Sequence, residues 1–163
     1  MKATIHFLTP LLMVVLMGTG AFSGEVVFRT EFEGPDANEV WTGSEGKIAP
    51  GHRGSKALRI NNGNPEKSML RRTALPADRL AGQYVTLSAV VRAQGVSRPP
   101  NRAGGIKLML VMETADGTQR RQVQIPHGTY EWSSFENGFR TPGDVTEATL
   151  VVGLQKSGGA VLF

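Results

Sequence analysis

The sequence predicts an all-β protein, folded as a two-sheet antiparallel β-sandwich of the jelly-roll type and preceded by a signal peptide. Short alternations of apolar and polar residues recur at roughly ten-residue spacings, as in sandwich domains. Glycine and proline separate these alternations from one another, as expected for turns. No segment keeps a helical period of apolar residues over more than a few positions.

Two stretches, residues 83–93 and 106–113, alternate most clearly and form the expected centre of the domain. In each, every second residue is apolar, which is typical of a pleated strand with one buried face. That face must pack against a second sheet, because an isolated sheet with one apolar side is unstable in water. The other side of 106–113 is mixed in character, with Lys107 and Met109 on it. This mixed face is therefore free to contact a ligand or a neighbouring domain.

The remaining elements are separated by turn signals. One helical turn is expected within residues 75–82, where Pro76 stands early and Gly82 follows the end. Residues 94–104 form a long polar surface loop, and Ala115-Asp116-Gly117 is a hairpin-turn signal. The predicted strands cover residues 26–32, 40–41, 47–49, 57–60, 68–74, 83–93, 106–113, 119–125, 130–139, 148–155 and 160–163. Because the sequence stops within the last of these, we expect a final strand truncated from a longer reading frame.

The first 23 residues have the parts of a secretory signal peptide. Lys2 is followed by an apolar run over residues 5–17 and then by small residues up to Ser23, the usual order of charge, apolar core and cleavage site. The run is shorter than the roughly 20 residues that a spanning helix needs. We expect cleavage after Ser23, a single domain over residues 24–163, and an extracellular or periplasmic protein without membrane attachment.

Composition narrows the classes of function. The chain has 18 basic and 14 acidic residues, and its arginine pairs at 71–72 and 120–121 are isolated, which argues against nucleic-acid binding. It contains no cysteine. Thiol catalysis, zinc–thiolate sites and iron–sulfur clusters are therefore excluded.

Several segments together resemble one family of carbohydrate-binding domains. The matching stretches are Phe32-Glu33-Gly34 with Trp41, Gly54 with residues 57–60, residues 75–83, residues 91–109, Trp132, and residues 150–153. In this order they resemble the galactose-binding-like jelly rolls of the carbohydrate-binding modules of families four and nine, as found before the catalytic barrel of bacterial cellulase-like glycoside hydrolases. The resemblance spans nearly the whole chain after Ser23. It implies a noncatalytic domain that binds a plant cell-wall glucan or xylan, with a glycoside hydrolase domain downstream and with Trp41 and Trp132 in the core.

The resemblance also implies a structural calcium ion. Glu33 stands where the family's metal-binding glutamate lies, and Gly54 opens a loop whose carbonyl oxygens suit Ca²⁺, which takes six to eight oxygen ligands. The family's second carboxylate is a terminal aspartate, and this sequence ends before it, at Phe163. The alternative is that Glu33 is a solvated acid beside a turn.

A glycan groove combines flat rings with hydrogen-bonding side chains. The predicted carbohydrate-binding residues on the mixed face are Tyr84, Arg92, Lys107, Met109, Arg121 and Gln155. The Pro99-Pro100 loop is the expected rim, and Tyr84 is the only ring. The alternative is that this semi-apolar face is covered by a neighbouring catalytic domain and has no glycan affinity.

No catalytic residues are predicted. Glycosidases need two suitably spaced carboxylates, and Glu131 and Glu136, five positions apart, would point to opposite faces of a regular strand. His52 and His127 lie in Gly/Pro loops without a companion nucleophile pattern.

Overall fold

The computed structural model of the chain describes residues 12–17, 25–34 and 39–163. In this part of the chain the strands form two antiparallel sheets, which confirms the predicted β-sandwich. One short helix, α1 (Ala77–Leu80), and one 3₁₀ turn (His52–Gly54) interrupt the strands. The strands are β1 (Leu12–Met17), β2 (Glu25–Thr30), β3 (Thr42–Gly43), β4 (Lys47–Pro50), β5 (Lys56–Asn62), β6 (Ser68–Leu75), β7 (Tyr84–Val96), β8 (Gly105–Thr114), β9 (Gly117–Gln122), β10 (Gly128–Arg140), β11 (Glu147–Gln155) and β12 (Gly159–Leu162).

Within the described ranges, one sheet has seven strands and the other has five. The seven-stranded sheet has the order β2-β1-β7-β12-β5-β4, and β10 is its seventh strand. Strands β1 and β12 pair with different stretches of β7, residues 84–88 and 92–94, whereas β10 pairs with β7 along most of its length. The five-stranded sheet has the order β3-β6-β11-β8-β9. Strands β7 and β8 follow each other in the chain yet belong to different sheets, so the loop between them crosses from one side of the sandwich to the other.

The predicted signal peptide lies mostly outside the described residues. Its described part, Leu12–Met17, is strand β1, which pairs with β2 on one side and with residues 84–88 of β7 on the other. Cleavage after Ser23 stays a prediction, and N-terminal sequencing of the exported chain would decide it. Among the described residues, no helix is long and apolar enough to span a bilayer.

The apolar residues of the alternating strands meet between the two sheets, as the sequence predicts. Leu87 on β7 and Leu108 and Leu110 on β8 have no exposed surface, and each such leucine contributes roughly 1.5–3 kcal/mol when fully buried. Trp41 also lies in this core, 3% exposed, with its ring 6.1 Å from that of Phe28. The predicted core position of Trp41 is therefore confirmed.

Candidate functional site

The outward side of the five-stranded sheet is the surface that the mixed alternation of β8 predicts. We call it the five-stranded face and define it by Lys107, Met109, Gln122, Val151 and Gln155. Met109 pairs with Val151 of β11 on one side and with Gln122 of β9 on the other. Cross-strand partners point to the same side of a sheet, so these side chains form one continuous surface.

Lys107 is the charged group on this face that is withdrawn furthest from water. It is 2% exposed, and its Nζ donates a hydrogen bond to Oε1 of Gln122 at 2.7 Å. Its cross-strand partner on β11 is Gly153, whereas Gln122 lies on β9, the neighbour on the other side of β8. Burial lowers the pKa of Lys107 because the ammonium loses hydration. The ammonium therefore fixes the orientation of the Gln122 amide.

A cavity of about 500 Å³ opens beside Lys107, at the end of the five-stranded face. It is bounded by the start of β8, by the segment after β9 and by residues 97–104, which connect β7 to β8 and which we call the crossing loop. Its lining residues are Pro99, Asn101, Arg102, Gly104, Gly105, Ile106, Gln122, Gln124, Ile125 and His127. Amide side chains both donate and accept hydrogen bonds, so Asn101, Gln122 and Gln124 suit a ligand rich in hydroxyl groups.

The crossing loop separates this cavity from a second depression. Pro99 lines the first cavity, whereas Pro100 lines the second, which has a volume of about 410 Å³ and is also lined by Pro65, Glu66, Arg98 and Lys156. Gly104 is packed tightly at the base of the loop, because a Cβ there would lie 3.1 Å from the carbonyl oxygen of Gln155. The loop is thus held against the end of β11 as a ridge between two depressions.

The six residues predicted to bind carbohydrate do not share one surface. Lys107, Met109 and Gln155 lie together on the five-stranded face, in register with Gly153, Val151 and Gly105.

Arg121 does not lie there, because it pairs with Leu110, whose side chain is in the core. Tyr84 and Arg92 do not either, because β7 belongs to the seven-stranded sheet on the opposite side of the sandwich. The expectation of a single groove containing all six is therefore wrong.

The side chains that line the cavity beside Lys107 include several that the sequence analysis left out. Gln122 lies on the five-stranded face, and Gln124 and His127 follow it along the chain. The hairpin signal could have identified Gln122. Counting outward from the two-residue turn at Ala115-Asp116, with Thr114 opposite Gly117, places Gln122 beside Met109.

Trp132 is not in the core, contrary to the expectation from the resemblance. The register of β10 on β7 shifts between Tyr130 and Ser133, and such a β-bulge re-aims the side chains within it. Trp132 is half-buried and its ring centroid lies 5.8 Å from that of His52. Trp132 therefore lies on the outer side of the seven-stranded sheet.

The same bulge changes the orientation of the two glutamates on β10. Glu131 forms an ion pair with Arg92 at 3.0 Å, and Glu136 pairs in register with Ser88. Both partners lie on the outward side of β7, between its core residues. The expectation that Glu131 and Glu136 point to opposite faces is wrong, because β10 is not a regular strand.

Glu33 and Gly54, the predicted metal ligands, come from neighbouring segments. Oε1 of Glu33 accepts a hydrogen bond from the backbone N–H of Lys56 at 2.6 Å, and the Lys56 ammonium lies 3.4 Å from the Glu33 carbonyl oxygen. In the described ranges, no three acidic or histidine side chains converge on a point that could hold a metal. The residues thus supply one carboxylate beside the Gly54 turn, with a lysine close to it.

Comparison with known proteins supports the architecture. No protein-family model matches the sequence, and no curated protein matches it. A solved structure of the N-terminal CBM22-1 and GH10 modules of Clostridium thermocellum endo-1,4-β-D-xylanase 10B, complexed with xylohexaose, is similar, with a TM-score of 0.54 and 13% identity. The match covers 77% of this chain and 25% of that chain. This similarity shows the fold alone, a two-sheet β-sandwich, and the assignment to carbohydrate-binding families four and nine stays a prediction.

Proposed function

We propose that this chain is a noncatalytic carbohydrate-binding domain of an exported glycoside hydrolase, and that it binds a xylan-type or glucan-type polysaccharide at the five-stranded face. The observation that carries the proposal is the polar cavity of about 500 Å³ beside the buried Lys107. Small-molecule sites are concave and hold a few well-placed polar groups. The fold supports the same class, since the similar structure contains xylanase modules complexed with xylohexaose.

The chemistry of the cavity suits binding. Gln122 lines the cavity with its amide oxygen held by the Lys107 ammonium behind it, and Asn101 and Gln124 extend the amide groups along its wall. Hydrolysis of a glycosidic bond requires a pair of carboxylates, and the lining of this cavity contains no Asp or Glu. We infer that the polysaccharide is held by hydrogen bonds to its hydroxyl groups.

Replacing Lys107 by Met should reduce retardation of the protein by soluble xylan or glucan in affinity electrophoresis. Methionine fills the same narrow space without a donor, and it removes the cost of desolvating an ammonium, so stability should be unchanged or slightly higher. Gln122→Ala should weaken retardation by roughly tenfold, as expected for a lost hydrogen bond to a positioned polar group.

The matched control is Lys47→Met, which removes the same charge from exposed β4 on the seven-stranded sheet. It should leave retardation unchanged. If Lys107→Met binds every polymer as well as the wild type does, the cavity is not the binding site. If the wild type is retarded by none, the chain is better explained as a docking domain that packs against a catalytic domain.

We also propose that a structural calcium ion binds at Glu33. The proposal rests on the Glu33 carboxylate, which lies beside the Gly54 turn. A ligand that binds only the folded state raises stability by about 2.7 kcal/mol at a hundredfold excess over its Kd. Millimolar Ca²⁺ should therefore raise the thermal midpoint of the wild type, and EDTA should lower it again.

Glu33→Gln is the matched variant, since its amide oxygen still accepts the N–H of Lys56 without the charge. It should lose the response to Ca²⁺. An equal response in both proteins would place the ion elsewhere, and no response in the wild type would leave Glu33 as a hydrogen-bond acceptor that fixes the Gly54 turn.

A further inference from the structure

The aromatic side chains that the five-stranded face lacks lie on the opposite side of the sandwich. Tyr84 on β7 is 45% exposed, and Trp132 on β10 projects from the bulge on the same outward side. The register of β7 and β10 fixes which residues lie between them. We call this surface the aromatic strip and define it by Tyr84, Ser88 and Arg92 on β7 with Trp132, Glu136 and Gly138 on β10.

Tyr84 is held flat by a glycine on the neighbouring strand. A Cβ built on Gly138 would lie 2.5 Å from the Tyr84 hydroxyl oxygen and 3.1 Å from Cζ, so the ring covers the backbone at Gly138. One face of the ring is thereby fixed against β10 and the other faces outward. Such a fixed, exposed ring provides contact area at a small cost in side-chain entropy.

Trp132 is supported from a distant part of the sheet. Its partner His52 lies in the turn between β4 and β5, and β5, β12 and β7 separate that turn from β10 in the strand order. The two side chains must therefore reach toward each other over the outer face. Leu162 of β12, in register with Arg92 of β7, is only 4% exposed although it is on this outward side, as expected if side chains cover it.

The surface between the two rings is polar and nearly balanced in charge. Arg92 is paired with Glu131 at 3.0 Å, and Glu136 and Arg140 add one charge of each sign. Thr86, Ser88 and Ser134 contribute hydroxyl groups. A balanced surface offers no attraction to a polyanion, whereas rings flanked by hydrogen-bonding groups suit the apolar faces and hydroxyl groups of neutral sugars.

We propose that the aromatic strip is a second polysaccharide site, independent of the cavity beside Lys107, that binds one neutral glycan chain lengthwise along β7 and β10. Gly138 under Tyr84 and Trp132 lie roughly 17–20 Å apart along β10, at about 3.3 Å per residue. Pyranose rings stacked on Tyr84 and Trp132 are therefore several sugar units apart, with Arg92, Glu131 and Glu136 bonding the hydroxyl groups between them.

The two tryptophans of the chain allow a direct test. Trp41→Phe leaves Trp132 as the single tryptophan, and titration with xylohexaose or cellohexaose should change its emission saturably. Trp132→Phe in the otherwise wild-type chain should abolish the change, because Trp41 is 3% exposed and remote from solvent. If Trp41→Phe does not fold, comparing the wild type with Trp132→Phe still shows whether the emission change comes from Trp132.

The two-ring geometry predicts a dependence on ligand length. Tyr84→Ala should weaken binding of the hexasaccharide about tenfold, a usual loss for an aromatic anchor. It should leave the emission response to xylobiose unchanged, because a disaccharide is too short to reach both rings. Lys107→Met should leave both responses unchanged.

The possible outcomes separate this site from the cavity. If no oligosaccharide alters the emission of Trp132 while retardation still depends on Lys107, the aromatic strip is not a site and the cavity remains one. If the emission change requires Lys107 and not Tyr84, the strip proposal is also overturned. An emission change that depends on Trp132 and Tyr84 supports the strip, and the cavity is contradicted only if retardation is also independent of Lys107.

Discussion

Replacing Asn62 by Asp should destabilise the domain by about 3–5 kcal/mol at pH 7, the cost of leaving a buried charge without a compensating partner. Asn62 is 4% exposed. Its Nδ2 donates to the carbonyl oxygens of Lys67 at 3.0 Å and Ser157 at 2.9 Å, and its Oδ1 accepts from the N–H of Asn64 at 3.1 Å. This one amide joins the end of β5, the following loop and the turn between β11 and β12.

Aspartate has nearly the same shape and loses only the donor. A carboxylate oxygen would then face two carbonyl oxygens at the distance of a hydrogen bond, so the charged form is disfavoured and the folded-state pKa of the introduced carboxyl group lies above its unfolded value. The sign of the pH effect follows. The penalty is absent below the unfolded pKa of about 3.9 and grows as the pH rises toward the folded pKa.

Urea unfolding at pH 7 and near pH 4 measures this effect directly. The control is Asn61→Asp, since Asn61 is exposed and its Oδ1 accepts a hydrogen bond from Nε of Arg59 at 3.0 Å, which an aspartate accepts equally well. Asn62→Asp should lose most of its stability deficit near pH 4. Equal stability of the two variants at pH 7 would show that the amide network contributes little.

Asn62 also shows what sequence patterns reveal and what they hide. Residues 61–65 contain three asparagines, a glycine and a proline, and this composition correctly predicts the end of strand β5. Composition does not show which asparagine side chain points into the core, because successive residues of β5 point to opposite faces of the sheet. Leu58, Ile60 and Asn62 share the inward side, so the alternation of the strand continues through the residue that ends it.

The alternation of apolar and polar residues in each strand was predictable from the sequence, but the sheet to which each strand belongs was not. Period two places Val85 and Leu87 on one side of β7 and Tyr84 on the other, and the structure agrees. It does not say whether β7 and β8 lie side by side. The long connection, predicted over residues 94–104 and observed over residues 97–104 because β7 continues to Val96, is a signal for the answer. Hairpin loops are usually two to five residues long, and this one carries the chain between sheets.

The remaining errors come from departures from regular strand geometry. The bulge near Trp132 breaks the parity of β10, and parity is the only information that alternation provides. The family resemblance cannot correct this error, because a tryptophan at a matching sequence position can lie on either face of the sheet. The face that has the rings was thus missed in the sequence, while the polar groups at Lys107 and Gln155 were placed together correctly.

Replacing Gly153 by Ala should destabilise the domain by about 2–5 kcal/mol, the sum of backbone strain and overpacking. Gly153 has φ of +134°, a conformation that residues with a side chain rarely adopt. A Cβ there would lie 3.1 Å from Cα of Leu70 and even closer to the carbonyl oxygen of Met69. Both contacts are backbone atoms of the adjacent β6, so relief requires β6 and β11 to separate at the centre of the five-stranded sheet.

The same substitution links stability to the cavity, because Gly153 is the cross-strand partner of Lys107. Since β8 pairs with β11 along its length, a shift of β11 also moves β8 and disturbs the alignment of Lys107 with Gln122 on β9. We therefore expect retardation of Gly153→Ala by polysaccharide to be weaker than that of the wild type even at temperatures where it stays folded, while the Trp132 response on the opposite sheet persists. Gly143→Ala is the control, since a Cβ there meets nothing within 4 Å and should change neither stability nor binding. Unchanged retardation by a folded Gly153→Ala protein would mean that the position of Lys107 does not depend on this glycine.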